Sequence, residues 1–584
     1  MTRATETTPV QYSVLAHEPQ ELRDAGLACL MAGDLSSAET LFRSGALKRP
    51  YDADFRFRLA STLMAQGRME EAALHEADAR NLMAAQLMRE NFPDVEASRA
   101  PDAMLAAAQV FYKESQYSLC GLLLQRLLPD NADNLGLMRE LGLVLSQQGR
   151  MDEAIATYET IVRRQGCAPE AHSYLHLLTI FQQTGPQTLY NEGRRWSRLC
   201  EETVQLRSPR RVRKDGKIRI GYYSATFNRH QLGHFFLPIL EAHDTDRFEI
   251  YGYSHGKIVD NIGQAALDNC TFRCVGRMSD DEICDVIEAD DIDILVDLWG
   301  HSHQHRLMVF ARRPAPIQVS YLNYINTTGL TAFDYVLLPD GYRAEGDQRW
   351  FSEEIFGIGP VIAPYRVLDE VEVPVEAPNT RHPDGVFTFA SAAHPSKINL
   401  EVVKVWAEIL KRTPNAVLEL RYMLYKDPVV TRAMVAQFEA CGVPAERLVF
   451  PKQSAGKAFR EAFADFDLVL DPFPYQGMTT TMDALSMGVP VLALDGDYLA
   501  MKVAPSALEL CGVPELIAPT PQAYVDIAVD LATNPERLAD IRRRTRPGFL
   551  ASPFRQERAF TRRLEAAYLD MVAIAGRQAE AEAA

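Results

Sequence analysis

The first third of the chain alternates apolar stretches of helical period with short turns that open on glycine or serine. Gly33 and Gly67 open two such turns 34 residues apart, and Ser115 and Gly149 open two more at the same spacing. Between the turns, apolar side chains recur every three or four residues, the period of one helix face. The pattern predicts an array of stacked helix pairs over residues 20–205. An ordinary helical bundle is the alternative, and the recurring 34-residue step speaks against it.

From residue 218 onward the pattern changes to short apolar runs separated by helical stretches. Such runs, bounded by turn residues, predict buried strands. The first series comprises residues 218–223, 248–254, 292–298, 317–322 and 335–338, and the second comprises 386–390, 416–420, 448–450, 468–470 and 489–494. Strands that alternate with helices form parallel sheets covered on both sides, so we expect two doubly wound α/β halves facing one cleft. Nucleotide-sugar transferases, phosphorylases and sugar-nucleotide epimerases all share this architecture, and fold alone does not choose among them.

Changes in composition set the predicted boundaries. A basic run broken by proline and glycine follows the repeats, and a segment rich in proline and acidic residues separates the two halves. In chain order we expect an N-terminal extension (1–19), a repeat region (20–205), a basic linker (206–217), a first Rossmann-like half (218–366), an interdomain linker (367–385), a second Rossmann-like half (386–550) and a C-terminal helix and tail (551–584).

Composition and charge exclude several classes of function. A formal charge of −17 disfavours general binding to nucleic acid or to an anionic membrane. The nine cysteines are scattered, so neither a disulfide framework nor a zinc site is predicted. The N-terminal segment lacks the apolar core of a signal peptide, and no apolar run is long enough to span a membrane. We therefore expect a cytoplasmic protein.

The strongest chemical signal in the second half is the segment 471–485, which leads from a buried strand through a proline- and glycine-containing loop into a helix. Gly477 lies in the loop, and three threonines, Thr479–Thr481, open the helix. Hydroxyl groups and unpaired backbone N–H groups at a helix N-terminus form a site for phosphate. Asp483, one turn later, suits ribose hydroxyls. A plain helix cap with an exposed aspartate is the alternative.

A second loop, residues 391–399, also follows a predicted strand and carries His394 and Lys397. Ligands of open α/β sheets bind at the carboxyl ends of the strands, so Lys397 can reach the same edge of the cleft. A lysine there neutralises a departing diphosphate, a role that a metal ion would otherwise fill. An ordinary surface lysine is the alternative.

The first half offers titratable groups at its own strand ends. His230 and His234 lie four residues apart in a loop that leads into a helix, and no further zinc ligands stand at ligand spacing. A histidine at a cleft edge suits proton transfer or the holding of an acceptor hydroxyl. A structurally satisfied histidine is the alternative, more so for His234. Asp297 and His301 end another strand and place a carboxylate and an imidazole at the same edge.

Four segments, GYYSATFNRH, ILVDLWGHS, RRPAPIQ and DPFPYQGMTTTMDAL, together resemble the O-linked N-acetylglucosamine transferase family, including its bacterial members. The repeats ahead of them are similar to tetratricopeptide repeats, and the resemblance covers roughly residues 20–575. It implies an α-helical tetratricopeptide-type array followed by a GT-B α/β fold. It also implies an inverting, metal-independent transfer of sugar from a nucleotide donor to Ser or Thr hydroxyls of proteins. No cofactor is then expected, because the nucleotide sugar is a substrate.

The same resemblance gives each motif residue an expected role. His230 would act beside the acceptor as a base or a positioning residue, and Asp297 and His301 would line the same cleft as further catalytic candidates. The residues expected to bind the donor are Lys397 at the diphosphate, Gly477, Thr479, Thr480 and Thr481 around its phosphates, Asp483 at the ribose, and His394 and Phe459 near the sugar and the base.

The chain departs from the family pattern where the family contacts the base and the sugar. His394-Pro395-Ser396-Lys397 stands where the family has Gln-x-Tyr-Lys, Met478 and Phe459 each stand where the family has a histidine, and the segment 323–329 lacks the family's proline. The donor therefore need not be UDP-N-acetylglucosamine, and UDP- and CMP-linked sugars both stay open. Bacterial relatives with a short repeat array and an altered donor pocket resemble flagellin-modifying transferases, which suggests flagellin as the acceptor.

We favour a protein O-glycosyltransferase whose repeats select the acceptor protein. A binding scaffold with a degenerate transferase half is the first alternative, and the joint retention of Lys397, Thr479, Thr480 and Asp483 speaks against it. A small-molecule GT-B enzyme, such as a sugar-nucleotide epimerase, is the second, and it leaves the repeat array without a task.

Overall fold

Helices fill the first third of the described chain, and two parallel sheets with their covering helices fill the rest. The computed structural model describes residues 18–583 apart from residues 99, 166–168, 182–184, 209, 214, 343–345, 369–370, 372, 374–384 and 453–456. The chain divides into two units. The first unit joins residues 1–132 to residues 398–452, and the second unit joins residues 133–397 to residues 453–584.

The predicted helical repeats are confirmed. The helices of this region are α1 (Pro19–Met31), α2 (Leu35–Lys48), α3 (Ala53–Ala65), α4 (Met69–Asn91), α5 (Pro93–Ala97), α6 (Pro101–Lys113), α7 (Tyr117–Leu127), α8 (Leu135–Gln147), α9 (Met151–Gln165), α10 (Pro169–Phe181) and α11 (Pro186–Glu201). The small residue that opens the second helix after each predicted turn is almost fully buried: Ala38, Ala72 and Ala154 are 0% exposed and Cys120 is 3% exposed.

The four predicted turns share one backbone geometry. The φ angle is +78° at Gly33, +81° at Gly67, +60° at Ser115 and +75° at Gly149. In each turn the following N–H group donates to the carbonyl five residues earlier, at 2.8–3.0 Å. This left-handed closure caps the end of the first helix and costs least at glycine. The 34-residue spacing therefore repeats a structural unit, with Ser115 as its one non-glycine example among the four turns.

The first sheet lies entirely in the second unit. Its seven parallel strands, in the spatial order β3-β2-β1-β4-β5-β6-β7, are β1 (Ile218–Ser224), β2 (Phe248–Ser254), β3 (Thr271–Cys274), β4 (Ile294–Asp297), β5 (Ile317–Ser320), β6 (Tyr335–Leu338) and β7 (Glu354–Gly357). The connecting helices are α12 (Gln231–Ala242), α13 (Asn261–Asp268), α14 (Asp280–Ala289) and α15 (Leu307–Ala311). The sequence pattern missed β3 and β7 because these edge strands are only partly buried and lack an apolar run.

The second series of strands and helices follows the same alternation. Its strands are β8 (Phe387–Ser391), β9 (Ala416–Leu420), β10 (Leu448–Val449), β11 (Leu468–Leu470), β12 (Val491–Leu494) and β13 (Ile517–Ala518). Its helices are α16 (Leu400–Arg412), α17 (Pro428–Ala440), α18 (Lys457–Glu461), α19 (Thr479–Ser486), α20 (Val503–Leu510), α21 (Pro521–Thr533), α22 (Pro535–Ala551) and α23 (Glu557–Ala583). In the second unit β8, β11, β12 and β13 pair in parallel in that order. In the first unit β9 and β10 pair in parallel.

The predicted fold class, helical repeats followed by two parallel α/β sheets, is thus confirmed, whereas the predicted domain boundaries stay predictions. The two units divide near residues 132, 397 and 452 instead, so residues 398–452 of the predicted second half group with the first repeats. Most of the predicted interdomain linker and of the N-terminal extension lies outside the described residues.

Charged residues of α3 and α17 join the segment 398–452 to the repeats within the first unit. Arg58 contacts Glu439 at 2.7 Å and Asp54 at 2.8 Å. Arg432 contacts the same two carboxylates at 3.4 and 2.5 Å. Burial opposes the charge of Asp54, but Arg432 and Arg58 outweigh it and lower the pKa of that carboxyl. Glu439 is only 3% exposed. The two arginines and two carboxylates of this network therefore compensate one another's charge in place of water.

Candidate functional site

The loop between β11 and α19 forms the floor of the candidate site. The first hydrogen bond of α19 runs from the Met482 N–H to the Met478 carbonyl, which leaves the N–H groups of Thr479–Thr481 without intrahelical acceptors. The side chains of Thr479 and Thr480 are half-buried. The structure therefore places an open helix N-terminus with two hydroxyl groups at the end of β11, as the phosphate site requires.

Two other residues of this segment shape the loop. Thr481 is buried, and its hydroxyl donates to the Gly477 carbonyl at 2.7 Å. A Cβ atom on Gly477 would lie 2.2 Å from Oγ1 of Thr480, so only glycine lets the loop pass this close to the threonine. Thr481 and Gly477 thus hold the phosphate loop in shape, and a direct contact of Thr481 with the donor stays a prediction.

Lys397 reaches this loop from the end of β8. Its Nζ donates to the Gln476 carbonyl at 3.2 Å and lies 4.3 Å from the centre of the Tyr475 ring. Burial lowers the pKa of Lys397, and the negative charge of Asp471 partly offsets that effect. The structure therefore brings a cationic side chain to the turn that directly precedes the open helix N-terminus.

His394 lies beside Lys397 but turns toward the repeats. Its Nε2 is 3.3 Å from Oε1 of Gln147 in α8, and its Nδ1 contacts Ser396. Burial, followed by the charge of Lys397, lowers the pKa of His394 to about 3, so the ring is neutral. His394 therefore packs the loop against α8, and its predicted contact with the donor stays a prediction.

Asp483 lies one turn into α19 as predicted, but its carboxylate is already engaged. It is 5% exposed, forms an ion pair with Arg460, and accepts a hydrogen bond from the Tyr365 hydroxyl at 2.6 Å. Burial raises the pKa of Asp483, and Arg460 opposes that rise. One oxygen of the carboxylate, Oδ1, is therefore held by protein groups, and a contact of Asp483 with the ribose stays a prediction.

Arg460 belongs to α18 and was not singled out by the sequence. In addition to its ion pair with Asp483, Arg460 donates a hydrogen bond to the Ser486 hydroxyl at 2.7 Å, so it binds α19 at two residues. Its neighbour Phe459 packs edge-on against Phe463, with ring centres 5.5 Å apart. The predicted stacking of Phe459 on a base stays a prediction. The one signal in the sequence was that Arg460 directly follows Phe459, a position at which the chain departs from the family pattern.

His230 caps the N-terminus of α12 in the first half. Its Nδ1 accepts the Leu232 N–H at 3.3 Å, and its ring lies 5.2 Å from that of Trp299. Burial, followed by repulsion from His234, lowers the pKa of His230. The imidazole is therefore neutral near pH 7, and it carries its proton on Nε2 because Nδ1 accepts a hydrogen bond. His234 is satisfied instead by the Arg366 carbonyl at 2.9 Å, as its alternative interpretation expected.

His301 is buried instead of lining an open cleft, and its catalytic role stays a prediction. The side chain is 1% exposed; its Nε2 donates to the Thr328 carbonyl at 2.8 Å, and its Nδ1 lies 2.8 Å from the Ser173 hydroxyl. With both nitrogens bonded, the ring ties α10 to the loop after β5. The hydrogen-bond partners of His301 are distant from it in the sequence, so the local motif did not reveal this structural role.

Asp297 ends β4 where the sequence placed it, but it is 3% exposed. Its carboxylate accepts the N–H groups of Trp299 at 3.2 Å and Gly300 at 2.7 Å. Burial raises the pKa of Asp297 to about 7, and these two hydrogen bonds oppose the rise. The structure shows a turn-capping role that orients Trp299 toward His230, and a catalytic role stays a prediction.

A cavity that is partly open to solvent lies beside Tyr475. Aromatic rings form much of its wall, contributed by Tyr324, Trp350, Phe351, Tyr475 and Tyr498, with Asn326, Asp347 and Asp497 as its polar groups. Phe181 of α10 stacks on Tyr475 at 4.8 Å, so the last repeat helices support this wall. A concave, mainly apolar site with a few polar groups is typical of small-molecule binding.

The described part of the chain contains no group of three or more His, Cys, Asp and Glu side chains arranged to hold a metal ion. None of its helices combines the length and the apolar character needed to cross a membrane. The expectation that transfer needs no metal stays a prediction.

Comparison with known proteins places these features in context. The profile described as glycosyl transferase family 41 matches residues 194–344 and 374–564, more than half of the chain, and a tetratricopeptide repeat profile matches residues 23–86. A probable UDP-N-acetylglucosamine–peptide N-acetylglucosaminyltransferase SPINDLY of Hordeum vulgare is 30% identical over 65% of this chain and 40% of its own length. The SPINDLY protein of Arabidopsis thaliana is also 30% identical, over 65% of this chain and 42% of its own length. The chain thus spans about two fifths of these relatives.

Among solved structures, a mutant of the O-GlcNAc transferase of Thermobaculum terrenum superposes with a TM-score of 0.75. The two chains are 27% identical, and the match covers 97% of this chain and 100% of the other. The likeness therefore includes the helical repeats as well as the two α/β halves.

Proposed function

We propose that this chain, which belongs to glycosyl transferase family 41, transfers a sugar from a nucleotide-sugar donor to a Ser or Thr hydroxyl of a protein acceptor. One observation carries the proposal: Lys397 and the open N-terminus of α19 meet at the turn formed by Gln476, Gly477 and Met478. A cation and a helix N-terminus that converge on one turn form a site for a multiply charged phosphate group. The names of the curated relatives, which specify a peptide acceptor, support the choice of acceptor.

The proposed chemistry follows from where negative charge develops. As the acceptor oxygen attacks the anomeric carbon, the bond to the leaving phosphate breaks and its electrons move to the phosphate oxygens. Lys397, the N–H groups of α19 and the hydroxyls of Thr479 and Thr480 stabilise that charge. Because burial lowers the pKa of Lys397, its charge is lost at moderately alkaline pH, and activity should fall there.

His230 fits a positioning role better than that of a base. Its neutral ring presents an N–H group at Nε2, since Nδ1 accepts the Leu232 N–H. An N–H group donates to an oxygen and has no lone pair for a proton. We propose that His230 orients the acceptor hydroxyl or the sugar while another base or water takes the proton.

The proposal extends to the sugar, the nucleotide and the acceptor. We assign the sugar to the aromatic cavity beside Tyr475, because this cavity opens next to the proposed phosphate site. The nucleotide is UDP or CMP, because the residues expected at the base and the sugar depart from the family pattern. The repeats recognise the acceptor, for which flagellin is our candidate. Inversion at the anomeric carbon, independence of metal ions and a cytoplasmic location remain parts of the proposal.

The experiment that tests the function is coexpression of the full chain with flagellin, followed by intact mass measurement of the flagellin. A mass increase equal to one or more sugar residues is expected, and the size of the increase identifies the sugar. Early in coexpression, Lys397→Ala should sharply lower the fraction of flagellin that carries the added mass, whereas Lys404→Ala, at an exposed lysine of α16, should leave that fraction unchanged. Loss of the charged contact to phosphate, at about 1.5–3 kcal/mol, lowers kcat/KM by about 10- to 150-fold. Near-normal modification by Lys397→Ala would refute the phosphate role.

One observation favours the alternative of a binding scaffold. The Oδ1 atom of Asp483 is held by Arg460 and Tyr365, which leaves only Oδ2 of this carboxylate for a nucleotide. Titration calorimetry of the full chain with UDP and CMP distinguishes the two functions. An enzyme of the proposed kind binds at least one of them, and a degenerate scaffold binds neither.

A further inference from the structure

Asp471, the first residue after β11, is a buried carboxylate that takes no direct part in the proposed reaction. It is 3% exposed, and its Oδ1 accepts the Gly477 N–H at 2.9 Å. Its backbone carbonyl accepts the Tyr524 hydroxyl at 3.1 Å. Both contacts fix the loop that precedes α19, so Asp471 is held firmly at the floor of the candidate site.

The other carboxylate oxygen, Oδ2, is buried and has no hydrogen-bond partner among the described residues. Burying a charged oxygen without a partner is unfavourable unless an opposite charge compensates it. Lys397 is the cation whose charge acts on Asp471. The two groups share one loop: Asp471 binds the Gly477 N–H, and Lys397 binds the adjacent Gln476 carbonyl.

We propose that Asp471 is a positioning residue of the nucleotide-sugar site, which holds the Gln476–Gly477 turn in place and keeps the Lys397 side chain charged until phosphate oxygens replace it as the counter-ion. This inference rests on the proposed function. It explains why a half-buried lysine packed against an aromatic ring can still serve as a cation. It also accounts for the lack of a hydrogen-bond partner at Oδ2. A direct hydrogen bond from Lys397 to Oδ2 would compete with the donor phosphate for the lysine.

The electrostatics of the surrounding groups agree with this arrangement. Burial lowers the pKa of Lys397 and raises the pKa of Asp471, and in each case the charge of the other group opposes the effect. The other groups around Lys397 are His394, which is neutral, and the uncharged ring of Tyr475. Asp471 is thus the one carboxylate acting on Lys397 among the described residues.

The sign of the expected pH effect follows directly. Removal of the Asp471 charge takes away the interaction that raises the pKa of Lys397, so that pKa falls further. A lysine with a lower pKa loses its proton at lower pH. Binding of a nucleotide that needs the protonated lysine is then lost at lower pH as well.

The test uses the full chain and UDP and CMP as probes, with affinities measured by calorimetry between pH 6 and pH 9. In Asp471→Asn, the amide oxygen can still accept the Gly477 N–H, so the loop contact is kept. We expect the alkaline loss of affinity to move down by about one pH unit. Tyr524→Phe, the matched control, removes only the contact to the Asp471 carbonyl, so its affinity can change but its pH profile should not. An unchanged profile in Asp471→Asn, or an equal shift in Tyr524→Phe, overturns the inference.

The remaining outcomes are also decisive. Binding of neither nucleotide by the wild type refutes the proposed function, and this inference falls with it. Binding by the wild type with identical pH profiles in both proteins refutes the role of Asp471 alone. If Asp471→Asn does not fold, the wild type is titrated at pH 7 in buffers of different ionisation enthalpy. No proton uptake on nucleotide binding is expected there, because Asp471 already keeps Lys397 charged before the phosphate arrives, and uptake of a proton by the protein overturns the inference.

Discussion

The Arg460–Asp483 ion pair allows a sharp test of how the phosphate-binding helix is held. We consider Arg460→Met, which keeps much of the side-chain volume and removes the charge. Both partners are nearly inaccessible, at 4% and 5% exposure, so the pair belongs with buried ion pairs. Breaking such a pair from one side costs about 3–5 kcal/mol, because the remaining charge is left without compensation.

Two features reduce this cost in a predictable way. The Tyr365 hydroxyl still donates to Asp483, and Asp483 can take up a proton. Burial already raises the pKa of Asp483, and loss of Arg460, which lowers it, raises that pKa further. A pKa raised in the folded state means that protonation stabilises the fold, and this stabilisation fades as pH rises through the raised pKa. The destabilisation by Arg460→Met should therefore be smaller at pH 5 than at pH 8.

Hydrogen exchange of the peptide that spans α19 is the appropriate assay, because it reports local opening in a chain of two units. A loss of about 3 kcal/mol corresponds to an increase of about 150-fold in the opening equilibrium of α19 at pH 8. Arg537→Met is the control, since its ion pair with Asp530 is partly exposed, at 44% and 38%, and lies outside α19. Equal exchange of α19 in the two variants would show that Arg460 does not anchor the helix.

Two further predictions concern the cavity and the first unit. Trp350→Ala should weaken binding of the nucleotide sugar by about 5- to 30-fold through loss of aromatic contact, but it should leave the affinity for UDP and CMP unchanged. Calorimetry with both types of ligand checks this, with Trp350→Phe as the control. An equal loss of affinity for the free nucleotides would contradict a sugar site. Glu439→Gln should lower the stability of the first unit by about 3 kcal/mol, which hydrogen exchange of α3 and α17 would measure. The control is Asp78→Asn, which should cost less than about 1 kcal/mol because the Asp78 side chain is 62% exposed. Similar losses of stability in the two variants would count against the buried network.

Features set by short-range geometry were predictable from the sequence. The 34-residue step marks turns that need a left-handed residue, and all four such turns have positive φ. The buried strands were predicted because their apolar runs are short and bounded by turn residues. The strands β3, β7 and β13 were not predicted; β3 and β7 are partly exposed edges without such a run, and β13 has only the two residues Ile517 and Ala518.

In the candidate site, too, some features were predictable from the sequence and others were not. The meeting of Lys397 with the loop before α19 was predicted from one rule, that ligands bind at the carboxyl ends of parallel strands. The state of each polar side chain was not, because its partners come from distant parts of the chain. Ser173 and Thr328 satisfy His301, and Arg460 satisfies Asp483. A motif states which residue type is present, whereas only the packing decides whether that residue is available to a ligand.

This distinction narrows how the proposed reaction can proceed. Three carboxylates of the described site, Asp297, Asp471 and Asp483, are at most 5% exposed and bonded to protein groups. His230 presents an N–H group instead of a lone pair. The accessible carboxylates are those that line the aromatic cavity, Asp347 and Asp497, while the cationic and amide groups lie at the phosphate end. The barrier is then lowered mainly by stabilising the departing phosphate, and the acceptor hydroxyl can give up its proton late, when the new bond has already made it acidic. A fold that holds its phosphate loop by Asp471 and Arg460 serves this mechanism, because preorganised donors need no rearrangement as the charge develops.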